Sequence, residues 1–198
     1  MQTAILDDVE PIPEQRGAGR VILLNGASSS GKSTLAKALQ AALPHPFLHV
    51  SSDQLVQAGI LPDRSSDGGA FDWWHQIRPR FFAGFHRCLP AFAEAGNDLI
   101  VEHVIEFRSW RAELARLLAG LDVFLIGVYC DPEELDRRER SRGDRRVGEA
   151  RAHLTRDQIH TFGPYDLDID TTAGVTPDLV QDIIDAWHRR PQTRALRP

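Results

Sequence analysis

The chain has few of the features that mark secreted, membrane-spanning or nucleic-acid-binding proteins. Its 198 residues include only two cysteines, Cys88 and Cys130, which lie far apart and outside any C-x-x-C spacing. This predicts free thiols in a reducing compartment and argues against a disulfide framework. No apolar run approaches the roughly 18 residues of a membrane-spanning helix, and no basic region followed by an apolar one opens the sequence. We therefore expect a cytoplasmic protein without a membrane partner.

An excess of positive charge is also lacking. The formal net charge is −5 at pH 7 and the sequence pI is about 5.9, whereas a protein that binds a phosphodiester backbone typically has a basic face. We therefore expect a small-molecule substrate and no nucleic-acid partner. The length suits a single domain with a three-layer core. The sequence leaves open whether copies of the chain form a homo-oligomer.

One motif near the start of the chain carries most of the information. The run VILLNGASSSGKSTLAKAL, from Val21 to Leu39, contains the pattern G-x-x-x-x-G-K-S between a strand-like run and a helical pattern. This is a phosphate-binding loop (P-loop, or Walker A motif), in which backbone amides surround phosphate oxygens, Lys32 approaches the β- and γ-phosphates, and Ser33 binds Mg²⁺. The predicted ATP-binding residues are Gly26, Ala27, Ser28, Ser29, Ser30, Gly31, Lys32, Ser33 and Thr34.

Strand-like runs alternate with helical patterns along the rest of the chain. This alternation predicts a three-layer α/β/α P-loop NTPase fold with a mostly parallel sheet of about five strands. The predicted strands are Val21–Asn25, Phe47–Ser51, Leu99–Val104, Val123–Tyr129 and Leu167–Asp170. The predicted helices are Lys32–Ala42, Ser52–Ala58, Arg80–Ala95, Ser109–Ala119, Pro132–Arg142 and Pro177–Arg189, with Pro79 in a first turn.

The same patterns suggest three regions of the chain. Residues 1–19 are acidic and interrupted by Pro and Gly, which predicts a flexible leader. Residues 20–190 form the predicted P-loop kinase domain, and residues 191–198 a loose tail. A long irregular connection, Gly59–Gln76, lies between the second and third helices, and in a fold of this kind it is expected to cover the acceptor substrate.

An acidic residue follows the second predicted strand. Asp53 comes directly after the run FLHVSS and opens the next helix. At the carboxyl ends of parallel strands, where ligands bind, such a carboxylate can accept a hydroxyl proton as general base and orient the oxygen. The alternative is that Asp53 caps the helix, unless Ser51 or Ser52 does so.

Two further polar residues end the third predicted strand. Glu102 is the expected acid near Mg²⁺ and, with His103, a candidate contact for the acceptor. For His103 the alternative is an imidazole without a catalytic role, in the core or at the surface. Trp73 and Trp74 are candidates for an aromatic wall of the acceptor site, or else they cover the start of a helix.

An arginine-rich segment follows the fourth predicted strand. Arginines in a lid spread the charge of a transferring phosphoryl group and exclude water. We take Arg142 and Arg145 as catalytic and Arg138 as nucleotide-binding. The alternative for these arginines is an exposed helix with i,i+4 pairs, such as Glu134 with Arg138 and Asp136 with Arg140. Further on, the turn DIDTTAGVTP suggests that Thr172 closes over the nucleotide.

Several of these segments together resemble the chloramphenicol phosphotransferase-like kinases. They are VILLNGASSSGKST, HVSSDQL, LIVEHV, the Cys-Asp-Pro-Glu-Glu run, RGDR and DIDTT, and the resemblance covers Arg20 to Trp187. It implies a fold similar to adenylate and shikimate kinases with an arginine-rich lid. It also implies ATP with Mg²⁺ as donor and transfer to a primary hydroxyl of an antibiotic, hence a role in antibiotic resistance. By this resemblance Asp53 matches the base, and Arg142 and Arg145 match lid arginines.

The resemblance departs from the family pattern where the acceptor is expected. Members that phosphorylate chloramphenicol have two Asp residues at the positions of Glu102 and His103, and a longer segment at LPDRSSDGGAFDWW. The expected activity is therefore phosphoryl transfer to a hydroxyl of a small molecule, with chloramphenicol or a related antibiotic as one candidate. Two alternatives stay open, an ATPase or switch without an acceptor and a kinase of nucleosides or metabolites.

Overall fold

The computed structural model describes residues 17–61, 74–142, 148–190 and 195–196, apart from the side chains of His75 and Arg142. Its strands are β1 (Val21–Gly26), β2 (Phe47–Ser51), β3 (Asp98–His103), β4 (Val123–Tyr129) and β5 (Leu167–Asp170). Its helices are α1 (Lys32–Ala42), α2 (Ser52–Gln57), α3 (Trp74–Glu94), α4 (Arg108–Leu117), α5 (Pro132–Arg142), α6 (Glu149–Thr155) and α7 (Pro177–Arg189).

The five strands form one parallel sheet in the order β2-β3-β1-β4-β5. This confirms the predicted α/β fold. In the register, Ser51 of β2 pairs with Glu102 of β3, and Asn25 of β1 pairs with His103. Since parallel strands all end at the same edge, the residues that follow β1, β2 and β3 lie side by side there.

Two apolar layers cover the two faces of the sheet. On one face, Ile22 and Leu24 of β1 pack with residues of α1 and α7, including the fully buried Trp187. On the other face, Val21 and Leu23 pack with residues of α3 and α4. Every residue of β1 is buried, which is why this strand reads as a continuous apolar run rather than an alternating one.

Most predicted elements lie within one or two residues of the observed ones, but α3 begins six residues before its predicted start. The prediction that Pro79 occupies a first turn is wrong, because the helix begins at Trp74 and continues through Pro79. A proline inside a helix removes one backbone hydrogen bond. Packing stabilises the turn before Pro79, since the Trp74 ring lies 6.4 Å from the Phe81 ring and the Arg78 guanidinium lies over Phe82.

The short helix α6 was not predicted. It is built around a carboxylate of α5: Glu139, which is 1% exposed, accepts hydrogen bonds from the backbone N–H groups of Gly148 (2.8 Å) and Ala150 (2.7 Å). These donors open the helix and would otherwise lack an intrahelical partner. Ala150 then packs with Ala27 of the P-loop and Leu135 of α5. Tertiary contacts therefore define α6, which has little apolar periodicity of its own.

The structure bears on the predictions for the two ends of the chain and for the two cysteines. The predicted leader and tail lie almost entirely outside the described residues, although Gly19 donates a backbone hydrogen bond to Ala93 (2.7 Å). Cys88 is exposed, Cys130 is buried, and both are free thiols. In the described part of the chain, no helix is both long enough and apolar enough to cross a membrane.

The contacts of Glu139 predict a stability effect. Changing Glu139 to Ala leaves the buried N–H of Ala150 and the partly buried N–H of Gly148 without their acceptor, and an unsatisfied buried group costs about 1–3 kcal/mol. We expect the free energy of unfolding, measured by urea denaturation, to fall by at least about 1 kcal/mol. Glu133→Ala, an exposed position of the same helix, is the control. Equal stability of the two variants would contradict the role of Glu139.

Candidate active site

The P-loop follows β1 and turns tightly around its own backbone. Ser29 and Gly31 both have a left-handed backbone, with φ of 61° and 88°, a conformation that occurs in anion-binding backbone turns. Gly26 is needed for a different reason, since a Cβ there would lie 2.5 Å from the Val128 carbonyl oxygen. The hydroxyls of Ser29 and Ser30 are buried and have no hydrogen-bond partner among the described residues.

The loop lysine is held close to this surface. Lys32 is 8% exposed, and its Nζ donates to the carbonyl oxygens of Gly26 (2.9 Å) and Ala27 (2.6 Å). A buried cation beside a tight loop at a helix N-terminus suits the phosphates of a nucleotide. The donor set therefore fits ATP, as the motif predicts.

A carboxylate on the neighbouring strand contacts the start of α1. The Ser33 hydroxyl donates to Oε2 of Glu102 (2.7 Å), and Oε1 of Glu102 accepts from His49. Burial opposes the charged form of Glu102, but the hydrogen bonds from His49 and Ser33, together with the charge of Lys32, lower its pKa below the ordinary value. A hydroxyl and an ionised carboxylate at this distance are hard oxygen donors that fit Mg²⁺.

The contact between Glu102 and His49 was not predicted from the sequence. His49 also bonds through Nδ1 to Gln54 Nε2 (3.2 Å). The Gln54 amide is oriented by a capping box, since its Oε1 accepts from the Ser51 backbone N–H while Ser51 Oγ accepts from Gln54 N. Gln54 therefore donates to Nδ1, and Nε2 of His49 carries the hydrogen that points to Glu102.

The capping box also shows that Asp53 is not the N-cap of α2, while its role as general base stays a prediction. Ser51 is the N-cap of α2, while Asp53 lies in the first turn and is exposed. The cap is therefore made by the serine that ends β2. The Asp53 carboxylate lies beside the carboxyl end of the strand, which is the edge where Glu102 also lies.

Consecutive residues of β3 face opposite sides of the sheet. Whereas Glu102 faces α1, His103 packs on the side of α3 and α4, with its ring stacked on Trp110 at 5.5 Å and with Phe82 and Phe85 nearby. His103 is 3% exposed. Burial lowers its pKa well below the ordinary value, and the neighbouring His86, Lys32 and Arg78 act in the same direction.

The aromatic residues predicted for the acceptor wall are only partly described. Trp74, the first residue of α3, is half-buried, and Trp73 lies outside the described residues. The described rings instead surround a cation: the Arg78 guanidinium lies 5.1–5.6 Å from the rings of Phe82, Phe107 and Trp110 and contacts Glu106 (2.6 Å).

Arg138 connects the P-loop to the turn after β5. Its guanidinium donates to Thr171 O (2.7 Å), Thr172 O (3.2 Å) and Ser29 O (3.4 Å). It also forms the i,i+4 pair with Glu134 (2.7 Å) that the alternative interpretation predicts. Nucleotide binding by Arg138 stays a prediction.

Asp136 was expected to pair with Arg140. In the structure it contacts Arg151 of α6 instead (2.8 Å). The side chain of Arg142 and all of Arg145 lie outside the described residues. Their catalytic role therefore stays a prediction.

A residue beside the predicted Thr172 makes the closer contact with the P-loop. Thr171 is completely buried, and its hydroxyl lies 2.6 Å from the carbonyl oxygen of Ser30 and 2.9 Å from that of Tyr129. The Thr172 hydroxyl instead accepts from the backbone N–H of Asp131 (2.8 Å). Thr34, the last residue of the predicted nucleotide set, is exposed in the first turn of α1.

A histidine of α6 also reaches the P-loop. The Ser28 backbone N–H donates to Nδ1 of His153 (3.1 Å), which is 5% exposed. Burial, supported by the charge of Lys32, lowers the pKa of His153 to about 4, so its Nδ1 is an acceptor at neutral pH.

Glu106, His153 and Asp157 bring potential metal ligands within 4.8 Å of one another. Their atoms already have protein partners, however. Arg78 contacts Glu106, Arg156 contacts both oxygens of Asp157, and Ser28 donates to His153.

Comparison with known proteins identifies the family. A family model described as chloramphenicol phosphotransferase-like protein matches residues 19–188, which include β1 to β5 and nearly all of α7. The chain belongs to the chloramphenicol phosphotransferase-like family. The resemblance inferred from the sequence is thereby confirmed.

Individual relatives agree with this assignment. A Mycobacterium tuberculosis protein (strain ATCC 25618 / H37Rv), named as a candidate O-phosphotransferase, is 29% identical over 196 residues, covering 90% of this chain and 86% of that protein. Among solved structures, the M. tuberculosis APS kinase in complex with AMPPNP and APS has a TM-score of 0.60 at 20% identity, covering 87% of this chain and 99% of that one.

Acinetobacter baumannii shikimate kinase in complex with shikimate has a TM-score of 0.56 at 18% identity, covering 84% of this chain and 92% of that one. These likenesses show the fold of P-loop kinases. Together with the family, they identify the chain as a P-loop kinase or phosphotransferase.

The buried His153 predicts how stability depends on pH. Its pKa is about 4 in the folded protein and 6.5 in the reference state, so between these values only the unfolded chain binds the proton, and stability falls as the pH falls. From pH 7 to pH 5 this residue contributes a loss of about 2 kcal/mol in the free energy of unfolding.

His153→Asn keeps an acceptor near the position of Nδ1 but removes the titration. We expect urea denaturation of this variant to show a correspondingly smaller loss between pH 7 and pH 5, while the exposed His45→Asn control behaves as wild type. A variant with the wild-type pH dependence would contradict the assignment.

Proposed function

We propose that the protein transfers the γ-phosphoryl group of ATP to a hydroxyl of a small molecule. The observation that carries the proposal is the hydrogen bond between Ser33 and Glu102. It joins the helix that follows the P-loop to a buried carboxylate at the end of β3, the strand that pairs with β1. Such a pair of oxygens suits Mg²⁺ bound to a nucleotide. The family assignment supports the same reaction class.

On the donor side, the P-loop amides and Lys32 bind the phosphates of ATP. Ser33 and Glu102 would hold Mg²⁺, and the bound ion would supply positive charge that offsets the charge on the phosphates. Arg138 and Thr172 lie on the same side of the loop, where Arg138 approaches the Gly31 backbone. In our proposal they close one end of the nucleotide site.

On the acceptor side, Asp53 is the proposed general base. Its carboxylate takes the proton of the acceptor hydroxyl while the hydroxyl oxygen forms a bond to the γ-phosphorus. The bond between that phosphorus and the oxygen shared with the β-phosphate breaks, and ADP leaves. Arg142 and Arg145 are proposed to stabilise the charge on the transferring group.

The wall of the acceptor site is proposed to include His103, Trp73 and Trp74. In support, His103 lies at the same sheet edge as Asn25 and the P-loop, and Trp74 lies at the start of the helix that carries Arg78. A pocket with apolar sides and a few polar groups is typical of sites for small molecules. Chloramphenicol and related antibiotics are therefore acceptors to test first, and a resistance role would follow from their phosphorylation.

The test measures ADP release with ATP and Mg²⁺ against a panel of hydroxylated antibiotics, nucleosides and metabolites, and mass spectrometry identifies any phosphorylated product. We expect one class of compound to raise ADP release and to gain a phosphoryl group. ADP release that depends on a nucleoside would favour a nucleoside kinase. ADP release that no compound alters, with inorganic phosphate as the product, would contradict the proposal and favour an ATPase.

Replacing Asp53 should separate transfer from nucleotide binding. We expect Asp53→Asn to lower kcat with the acceptor by about 10²–10⁴-fold, the usual contribution of a general base, with ATP affinity nearly unchanged. Asp178→Asn is the matched control, since Asp178 is also an exposed acid in the first turn of a capped helix. Near-wild-type turnover by Asp53→Asn would show that another group takes the proton.

Replacing Lys32 should affect both steps. Its charge lies at the loop in the structure and would contact phosphate in the ground state and in the transition state. We therefore expect Lys32→Met to weaken ATP binding, measured by calorimetry, and also to lower kcat. Exposed Lys37→Met of the same helix is the control. Unchanged ATP affinity in Lys32→Met would contradict the donor site.

A further inference from the structure

A buried network of three side chains lies behind the end of β3. It consists of Glu113 of α4, His86 of α3 and His103, and we call it the histidine network. Glu113 Oε2 lies 3.0 Å from Nδ1 of His86, and Nε2 of His86 lies 2.9 Å from Nε2 of His103. His86 is completely buried and His103 is 3% exposed, while the Glu113 side chain is 26% exposed.

The positions of the hydrogens in this network follow from the Glu113 carboxylate, which can only accept hydrogen bonds. An ionised carboxylate accepts hydrogen bonds and donates none, so Nδ1 of His86 carries hydrogen. A neutral imidazole has hydrogen on one nitrogen only, so Nε2 of the buried His86 carries no hydrogen and accepts a hydrogen bond. The hydrogen between the two rings therefore belongs to Nε2 of His103, and in the neutral ring its Nδ1 is left as an acceptor.

Ring contacts hold His103 in one orientation. Its plane is within 12° of the Trp110 plane at a centroid distance of 5.5 Å, and the Phe85 ring lies at 5.4 Å. Stacking of this kind resists a ring flip, which would exchange each ring nitrogen with a ring carbon. Among the described residues, His103 forms its hydrogen bond through Nε2, to His86, and no group there forms one with Nδ1.

The position of this nitrogen suggests what its partner is. His103 pairs with Asn25 at the end of β1, directly before the P-loop, and Arg78, which is one turn before Phe82, lies in front of the same aromatic rings. In the proposed reaction this is the acceptor side of the site. A hydroxyl is both the reacting group of the acceptor and a hydrogen-bond donor.

We infer that Glu113 and His86 are positioning residues that keep Nδ1 of His103 as a hydrogen-bond acceptor for a hydroxyl of the small-molecule substrate. This inference rests on the proposed function. It makes His103 a selector for acceptors that carry a donor group at this point, and it assigns a role to two residues that do not contact the substrate.

The positions of the hydrogens on the two histidine rings can be measured without any substrate. Long-range ¹H–¹⁵N correlation spectra of the ¹⁵N-labelled wild-type chain at neutral pH report which nitrogen of each histidine ring carries hydrogen, and the spectrum of His103→Phe assigns the His103 signals. We expect hydrogen on Nε2 of His103 and on Nδ1 of His86. Hydrogen on Nδ1 of His103 would overturn the inference.

The effect on the substrate is tested by kinetics with the acceptor that the panel identifies. Glu113 is partly exposed, so Glu113→Ala leaves no closed cavity but removes the group that orients both histidines. We expect the KM for the acceptor to rise about 3- to 10-fold, the value of one hydrogen bond, with the KM for ATP unchanged. Exposed Glu94→Ala is the matched control.

His86→Phe keeps an aromatic ring and should have the same effect on KM. Equal changes in both KM values would indicate a purely structural role, and an unchanged acceptor KM in both variants would overturn the inference as well. A wild-type chain that phosphorylates no compound overturns the proposed function and with it the acceptor contact, whereas the spectra still decide the hydrogens.

Discussion

The hydrogen bonds of the Glu102 carboxylate are the constraint on which the rest of the site depends. One oxygen accepts from Ser33 at the start of α1 and the other from His49 of β2, so a single buried group joins three elements. A buried carboxylate without partners would be costly, and these contacts therefore hold the P-loop helix and the end of β2 in one arrangement. Asp53, which follows β2, lies at the same edge of the sheet.

The pleat of β3 then divides the site between two functions. Glu102 and His103 are neighbours in sequence, yet they face opposite sides of the sheet, as successive strand residues must. Glu102 faces the helix that begins at the P-loop. His103 faces the aromatic layer of α3 and α4, which is the side of the proposed acceptor. A substitution at either residue should therefore affect a different part of the reaction.

Much of the fold could be predicted from the sequence, because its signals are local. Buried parallel strands read as continuous apolar runs, and the P-loop is a contiguous motif. The missed features depend on contacts between distant residues. Thr171 bonds to Ser30 over a separation of 141 residues, and His153 bonds to Ser28 over 125. Likewise α6 depends on Glu139, and the start of α3 on packing around Arg78. No local pattern encodes such pairs.

The central claim is that the γ-phosphoryl group moves to a hydroxyl rather than to water. The most direct measurement is ³¹P NMR of the wild-type chain with ATP, Mg²⁺ and the panel compound that most increases ADP release. The account predicts that the γ-phosphate signal of ATP is replaced by that of a phosphate monoester, in amounts equal to the ADP formed. Appearance of inorganic phosphate alone would contradict it.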